Sequence, residues 1–407
     1  MRDVDRRFPV EPDTFFEIGS ITKQLTAASI LQLQEAGKLR IERPLSDYLP
    51  DAPHAKEVTL RQLLTHTSGL HDYLDLPQKE TDRLVPRPIS YRDLIARVAP
   101  LPLDFAPGSR WAYSNTGYLL LGKVIETVSG ETYWHYLQRH ILGPLQMRNT
   151  YTTADEARLP NMATGYRHVA GRLERGIIVD ADWAGAAGFL VSTMGDLAKW
   201  DEALRAGKVV SQSGYRKMTT PFITTTAGSA NYGLGLFVDS VYGEPRIGHT
   251  GGSFGFTTAD EYFPRQDARI IAFTNMADNT PEAGETLTNV IFADLYPAIA
   301  AKVMEPAPGE NAAITQTVRD AFRELQAGKD YARFSAHLGA KLAGGAGARF
   351  VANLGPYGTP SAAIFKGVRQ DAKDRWYDYV LEFGPGASMP FAVKIDPAGS
   401  VSGLSIG

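Results

Sequence analysis

The chain has 407 residues, and 42 Lys and Arg against 45 Asp and Glu give it a formal net charge of −3 at pH 7. Hydrophobic residues make up 43% of the chain and charged residues 21%, which is typical of a globular protein and excludes wholesale disorder. This balance lacks the broad positive field of nucleic-acid-binding proteins. The absence of cysteine excludes disulfides, zinc–thiolate sites, iron–sulfur clusters and a thiol nucleophile.

The first residues give an expectation about location. The opening MRDVDRRFPV is charged and lacks the apolar segment of a signal peptide. No stretch approaches the run of about 18 apolar residues that a transmembrane helix needs. From the chain as written we expect a cytoplasmic protein without a membrane span, whereas a true start upstream of Met1 would make it exported or periplasmic.

Helical patterns dominate the first half of the chain. Residues 20–36 predict a helix with small and apolar side chains nearly all round, which is typical of a central helix. Gly37 follows as its C-terminal stop. Residues 115–129 and 131–142 predict two more helices, and residues 193–206 predict another.

From residue 232 the pattern changes to short β-rich runs separated by turn residues. The runs YGLGLFV, PRIGHTGG, ADEYFP and RIIAFTN predict antiparallel strands. Residues 281–303 then return to a helical pattern. Helices, then strands, then a helix indicate an α+β architecture rather than alternating βαβ units.

A proline- and glycine-containing segment, MEPAPGEN at 304–311, is typical of a linker. We therefore expect a first domain at 1–303 and a second at 312–407. A helical pattern that Gly328 ends, followed by alternating aromatic residues at 376–383, predicts a small α+β domain in the second part. Its element order resembles the cup-shaped cystatin-like group.

Ser20 and Lys23 lie at the start of the first predicted helix, one turn apart on one face. A serine hydroxyl is a poor nucleophile until a base takes its proton. A lysine can be that base if burial and the positive end of a helix lower its pKa. The S-x-x-K spacing alone is equally typical of a solvent-facing Ser and Lys on a helix.

Two further motifs follow in chain order. Tyr113-Ser114-Asn115 is the only Y-x-N, and His249-Thr250-Gly251 is the only match to [KH]-T-G. With these motifs, residues from about 8 to 300 resemble the serine β-lactamase and penicillin-binding-protein superfamily, specifically its class C β-lactamase-like serine hydrolases and esterases. The supporting context is FEIGSITKQLTAASILQLQEAGKL, VTLRQLLTHTSGL, FAPGSRWAYSNTGYLLLGKVIE, AAGFLVSTMGDLAKW and YGLGLFVDSVYGEPRIGHTGGSFGF.

The resemblance implies a β-lactamase/transpeptidase-like fold, with an antiparallel sheet flanked by helices and a helical subdomain. It implies that Ser20 attacks a carbonyl and forms an acyl-enzyme, which water then hydrolyses. Lys23 and Tyr113 are expected to share the proton transfers. If Tyr113 acts as a phenolate, nearby cations must lower its pKa strongly.

The same resemblance implies a substrate-binding set. Asn115 is expected to hydrogen-bond the lysine and the substrate amide. The backbone N–H groups of Ser20 and Gly252 would form the oxyanion hole. His249, Thr250, Gly251 and Gly252 would line the strand along which the substrate binds.

His249 departs from the β-lactamase pattern, because β-lactamases and carboxypeptidases usually have lysine there. Histidine is largely neutral at pH 7, so it supplies no permanent cation for the carboxylate of a β-lactam or a D-Ala terminus. This favours carboxylic esters or small amides as substrates. A D-amino-acid peptidase or weak β-lactamase on the same residues stays open, as does a non-catalytic scaffold or sensor, and His249 itself fits a hydrogen-bonded strand histidine.

Other motifs fit structural roles better. The G-x-S-x-G match at 251–255 is followed by a strand pattern instead of the helix of a nucleophile elbow, and the one later histidine, His337, lies beyond the linker. The second match, at 403–407, ends the sequence, so neither an Asp/Glu nor a His follows it. Without a P-loop, G-x-G-x-x-G or EF-hand motif, we expect no nucleotide, cofactor or metal. The expected partner is a small-molecule ester, amide or D-peptide, with no nucleic acid and a possible homo-oligomer. Four histidines do not have the sequence spacing of a metal-binding motif and are expected to be structural, namely His66, His71, His135 and His140.

The nucleophile lies unusually early in the chain. Relatives in the resembled superfamily usually have a helix and a two-strand hairpin ahead of it. Here RDVDRRFPVEPDTFFEIGS resembles the segment just after that hairpin. We expect a start upstream of Met1; the alternative is a sheet completed by other means, including a partner chain.

Overall fold

The computed structural model describes residues 1–75, 78–169, 172–224, 231–277, 283–344, 347, 351, 354, 357–371, 374–384 and 387–406. These residues form two compact units, which divide between Thr288 and Asn289. Most of the chain before this point belongs to the first unit, and the chain after it belongs to the second. The predicted boundaries at 303 and 312 stay predictions.

Helices and strands both contribute to the described part of the chain, in agreement with the predicted α+β class. The helices are α1 (Thr22–Glu35), α2 (Leu60–Leu64), α3 (Gln78–Leu84), α4 (Tyr91–Val98), α5 (Asn115–Ser129), α6 (Tyr133–Leu137), α7 (Ala181–Gly188), α8 (Met194–Arg205), α9 (Gln212–Met218), α10 (Ala283–Leu295), α11 (Pro297–Val303), α12 (Ala312–Ala327) and α13 (Ala336–Ala343). The strands are β1 (Phe16–Glu17), β2 (Tyr151–Thr152), β3 (Tyr166–Val169), β4 (Arg172–Arg175), β5 (Leu190–Ser192), β6 (Ile223–Thr224), β7 (Asn231–Tyr232), β8 (Phe237–Val241), β9 (Glu244–Gly252), β10 (Thr257–Phe263), β11 (Ala268–Thr274), β12 (Met276–Ala277), β13 (Ala362–Asp371), β14 (Asp374–Gly384), β15 (Ala387–Ile395) and β16 (Val401–Ile406).

The main sheet of the first unit has six strands in the order β11-β10-β9-β8-β7-β6. The predicted antiparallel strands from residue 232 onward form this sheet, and β9 pairs with β10 so that His249 lies opposite Asp260. The first G-x-S-x-G match runs from the last two residues of β9 into the turn before β10, so these residues belong to a hairpin and not to a nucleophile elbow. In the described residues, β11 and β6 are the sheet edges.

Helix α1 lies in the centre of the first unit, as its sequence pattern predicted. Eleven of its 14 residues are buried. Most of its buried side chains are small or apolar, which suits a helix surrounded by protein on most sides. A three-residue turn of 3-10 helix, Gly19–Ile21, precedes α1, and Gly37 follows it with φ +70°. The nucleophile candidate Ser20 therefore lies at the N-terminal entrance of a rigid helix.

Two glycines bring strand β9 against the turn that precedes α1. A Cβ at Gly19, which has φ +49°, would lie 2.6 Å from the carbonyl oxygen of Gly252. A Cβ at Gly251 would lie 2.0 Å from the carbonyl oxygen of Ile18. Only glycine permits this backbone contact, which places the end of β9 beside Ser20.

The second unit is built from helices followed by an antiparallel sheet in the order β13-β14-β15-β16. Helix α12 packs on this sheet, where Phe322 meets Phe391 with ring centroids 5.5 Å apart. Tyr379 and Leu381 on β14 are buried in the same core. This is the element order predicted from the aromatic alternation and the helical spacing.

One finding bears on membranes. Over the residues that the structure describes, no helix has both the length and the apolarity required to span a bilayer.

The contact of β9 with the turn gives a stability prediction. Gly251→Ala should lower the free energy of unfolding by about 3 kcal/mol, because its Cβ meets a backbone atom that cannot move aside. Gly252→Ala is the matched control, since a Cβ there has no atom within 4 Å. Chemical denaturation of both variants measures this. Equal stability of the two variants would show that the contact does not constrain the fold.

Candidate active site

Ser20 and Lys23 meet at the entrance of α1. The Nζ atom of Lys23 lies 2.9 Å from the Oγ atom of Ser20. Ser20 is partly exposed, whereas Lys23 is completely buried. The hydroxyl is thus open to a ligand while the amine beside it is shielded from water.

Burial changes the chemistry of Lys23. It lowers the pKa of the amine from 10.5 to about 7, and the negative charge of Asp72 acts in the opposite direction. Two carbonyl oxygens are the other neighbours of Nζ, namely Oδ1 of Asn115 at 2.9 Å and the backbone oxygen of Ala187 at 2.7 Å. A neutral amine has two N–H donors and one lone pair. Because both carbonyls only accept, they take the two N–H groups and leave the lone pair facing Ser20.

A break in helix α7 supplies the Ala187 carbonyl. Gly185 has φ 41° and ψ −137°, which is not helical. Past this break, the carbonyl of Ala186 accepts a hydrogen bond from the Thr26 hydroxyl at 2.7 Å, and that of Ala187 accepts from Lys23. Nothing in the S-x-x-K motif indicates this backbone acceptor, which lies 164 residues away in the chain.

Tyr113 lies immediately before α5, and its conformation follows from the start of that helix. Ser114 caps α5 by accepting from the backbone N–H of Gly117, and its own N–H donates to Nδ1 of His66 at 3.1 Å. Lys23 Nζ lies over the Tyr113 ring, 4.7 Å from its centroid.

The environment of Tyr113 favours the neutral phenol over a phenolate. Desolvation raises the pKa of Tyr113 well above 10.0, and a hydrogen bond with Ser20 only partly opposes this. The Nζ atom of Lys23 lies over the face of the ring, and with a pKa of about 7 the amine is only partly protonated near pH 7, so it supplies no permanent cation to a phenolate oxygen. Tyr113 is therefore favoured as a neutral phenol that hydrogen-bonds Ser20, and Lys23 is the candidate base.

Asn115 joins Lys23 to a residue that sequence reasoning missed. Oδ2 of Asp72 accepts hydrogen bonds from the Asn115 side-chain amide at 2.9 Å and from its backbone N–H at 3.1 Å. Asp72 lies 43 residues earlier, in the loop after the quoted HTSGL segment. A lone Asp in a loop carries no spacing signal, so only the fold reveals its position.

His249 lies on β9 and is 2% exposed. Its Nδ1 donates to the backbone oxygen of Thr250, so Nε2 accepts from the Tyr232 hydroxyl at 2.9 Å. Burial, with the nearby Lys23, lowers the pKa of His249 to about 3. The histidine is therefore neutral with both nitrogens engaged, and Tyr232 is a second neighbour that the sequence did not indicate.

His66 differs from the satisfied structural histidine that the sequence predicted. Its ring lies 4.3 Å from the Tyr113 ring and 4.8 Å from that of Tyr232. Its Nε2 atom is buried and has no hydrogen-bond partner. The backbone at His66 has φ 57°, which is uncommon for a residue other than glycine.

The predicted site residues converge. Ser20, Lys23, Tyr113 and Asn115 form one hydrogen-bonded group. The ring of His249 lies 6.3 Å from that of Tyr113 and is tilted against it, and Gly251 and Gly252 approach the Ser20 turn. Thr250 contributes its backbone oxygen to His249. Over the ranges that the structure describes, no group of three or more His, Asp and Glu side chains is arranged to hold a metal ion.

Comparisons with known proteins place the chain in a family. The model of the beta-lactamase family matches residues 1–295, and the chain belongs to this family of serine hydrolases. The Bacillus subtilis protein PbpX is 32% identical over 277 residues, which cover 68% of this chain and 66% of PbpX. The match thus spans just under two thirds of that relative.

Two solved structures share the fold. A D-stereospecific amidohydrolase from Streptomyces is 29% identical, with a TM-score of 0.62 over 69% of this chain and 86% of its own. The octameric penicillin-binding protein homologue from Pyrococcus abyssi is 24% identical, with a TM-score of 0.64 over 100% of this chain and 91% of its own. The predicted β-lactamase/transpeptidase-like fold is thereby confirmed.

The lowered pKa of Lys23 predicts a pH profile. The acylation rate of Ser20 should rise with pH and level off above about 7, because only the neutral amine accepts the proton. Below that pH the rate should fall about tenfold per unit. Stopped-flow acylation by a p-nitrophenyl ester between pH 5 and 9 measures it.

Lys23→Met is the control for this profile, since it keeps the buried volume without a base. The acylation rate of this variant should be at least about a hundredfold lower than that of the wild type, while the protein remains folded. A wild-type rate that does not change below pH 7, or unchanged turnover in Lys23→Met, would remove Lys23 from the role of base.

Proposed function

We propose that the chain cleaves carboxylic esters or small amides through an acyl-enzyme on Ser20. The observation that carries this proposal is the environment of Lys23, where two carbonyl acceptors leave the lone pair of a buried amine facing the Ser20 hydroxyl. As Oγ attacks the substrate carbonyl, the Ser20 proton passes to Nζ. The carbonyl oxygen gains negative charge beside the turn and the end of β9, where the N–H groups of Ser20 and Gly252 are the proposed donors.

Tyr113 suits the second half of the reaction. As a neutral phenol hydrogen-bonded to Ser20, it can give its proton to the leaving group and regain one from Lys23. Water then attacks the acyl-enzyme, and the same groups carry the proton in reverse. Acylation and deacylation thus both begin with a neutral Lys23 and a neutral Tyr113 as the proton carriers.

The neutral His249 supports substrates without an obligatory carboxylate. Its Nε2 is engaged with Tyr232 and its pKa is low, so it offers no positive charge to a β-lactam or a D-Ala terminus. Esters and uncharged amides lose nothing from this absence. A D-amino-acid amide is the second candidate, favoured by the similarity to the Streptomyces D-stereospecific amidohydrolase.

A substrate panel tests the proposal. Short p-nitrophenyl esters, D- and L-amino-acid amides, D-Ala-D-Ala peptides and a chromogenic cephalosporin are compared on wild type and Ser20→Ala. We expect turnover of esters and amides by wild type only, together with a fluorophosphonate adduct on Ser20 by mass spectrometry. Turnover of only the peptides and the cephalosporin would overturn the ranking, and folded protein without any adduct would favour the non-catalytic scaffold or sensor.

His249 gives a specificity prediction. His249→Lys restores a cation, so the ratio of kcat/KM for the cephalosporin to that for p-nitrophenyl acetate should rise about tenfold, as expected for a charged hydrogen bond to the carboxylate. His249→Gln is the neutral control and should leave the ratio near that of wild type. A rise of this ratio in both variants would indicate that the shape of the side chain at position 249, and not its charge, causes the effect.

The predicted homo-oligomer stays a prediction, which size-exclusion chromatography with light scattering would examine.

A further inference from the structure

Asp72 accepts three hydrogen bonds with its carboxylate. Oδ1 accepts from the backbone N–H of Leu74 at 2.9 Å, and Oδ2 accepts from both N–H groups of Asn115. Desolvation raises the pKa of Asp72, and these donated hydrogen bonds oppose that effect. The carboxylate is therefore held in place from two segments of the chain.

This contact determines how the Asn115 amide is oriented. A carboxylate only accepts, so the NH₂ end of the amide faces Asp72 and the oxygen faces Lys23. The observed distances fit this arrangement, with 2.9 Å on each side of the amide. If the amide were reversed, its NH₂ group would compete with the Ser20 hydroxyl for the lone pair of Lys23.

We propose that Asp72 is a positioning residue for acylation: it fixes the Asn115 amide so that the lone pair of Lys23 stays directed at Ser20. The inference rests on the proposed function and adds a fourth member to the chain of hydrogen bonds Asp72–Asn115–Lys23–Ser20. Asp72 touches no reacting atom and acts through Asn115.

The charges around Lys23 allow this role to be separated from a structural one. Four other titratable side chains face the amine, namely Tyr113, Tyr118, His66 and His249. Desolvation raises the pKa of both tyrosines and lowers that of both histidines, so all four are neutral near pH 7. Among the residues that the structure describes, Asp72 is the charged group that acts on Lys23, and its negative charge raises the pKa of the amine.

Asp72→Asn is the central experiment, with acylation by p-nitrophenyl acetate followed between pH 5 and 9. Removing the negative charge should shift the acidic limb of the rate profile to lower pH by about one unit, because Lys23 then loses its proton more readily. The plateau of the rate should fall roughly tenfold to a hundredfold. Losses of this size occur in metalloproteins when the hydrogen-bond partner that orients a metal-binding side chain is removed. A structural role alone would lower the plateau without moving the limb.

Two further variants complete the test. Asp72→Ser keeps an acceptor for the Leu74 N–H without a charge, and it should show the same shift, so it replaces Asp72→Asn if that variant does not fold. Asp104→Asn is the matched control, because Asp104 is 43% exposed and pairs with His71 beside the same loop. It should leave both the limb and the plateau unchanged.

The outcomes separate this inference from the proposed function. A wild-type protein without acylation would overturn the proposed function. If the wild type shows a titrating limb, the role of Asp72 alone would be overturned by variants Asp72→Asn and Asp72→Ser that leave either the limb or the plateau as in the wild type. An equal shift in Asp104→Asn would assign the effect to general surface charge and would also overturn it.

Discussion

The chemistry of this protein depends on one buried amine. Lys23 is completely enclosed, and an enclosed ammonium is costly because it has lost its water. The neutral form is correspondingly favoured, and the two carbonyls around it match the two hydrogens of a neutral amine. Burial therefore lowers the pKa of the amine to about 7, and the two carbonyls determine the direction in which its lone pair points.

The rest of the first unit holds the groups that this amine needs. The turn before helix α1 supplies Ser20 and α1 itself supplies Lys23, and the glycine contact places the end of β9, the proposed substrate-binding edge, beside them. The start of α5 supplies Tyr113 and Asn115 from a capped helix end. Each group thus lies in a helix or in the few residues that lead into one, which keeps distances within the hydrogen-bonding range.

Local patterns predicted the parts of the site that lie close together in sequence. Ser20 with Lys23, and Tyr113 with Asn115, belong to short motifs on helix ends, and the strand pattern around His249 identified β9 correctly. Asp72 and Tyr232 carry no such pattern, because their roles arise only when distant loops meet. The raised pKa of Tyr113 also could not be predicted from residue types, since it depends on how completely the fold removes the phenol from water.

The break at Gly185 has a consequence for how mutations act on this protein. One acceptor of Lys23 is the main-chain carbonyl of Ala187, and every amino acid carries such a carbonyl. No exchange of the Ala187 side chain removes this acceptor. A mutation can remove this acceptor only by redirecting the backbone that carries it. The sensitive position is therefore Gly185, whose φ of 41° other residues rarely adopt.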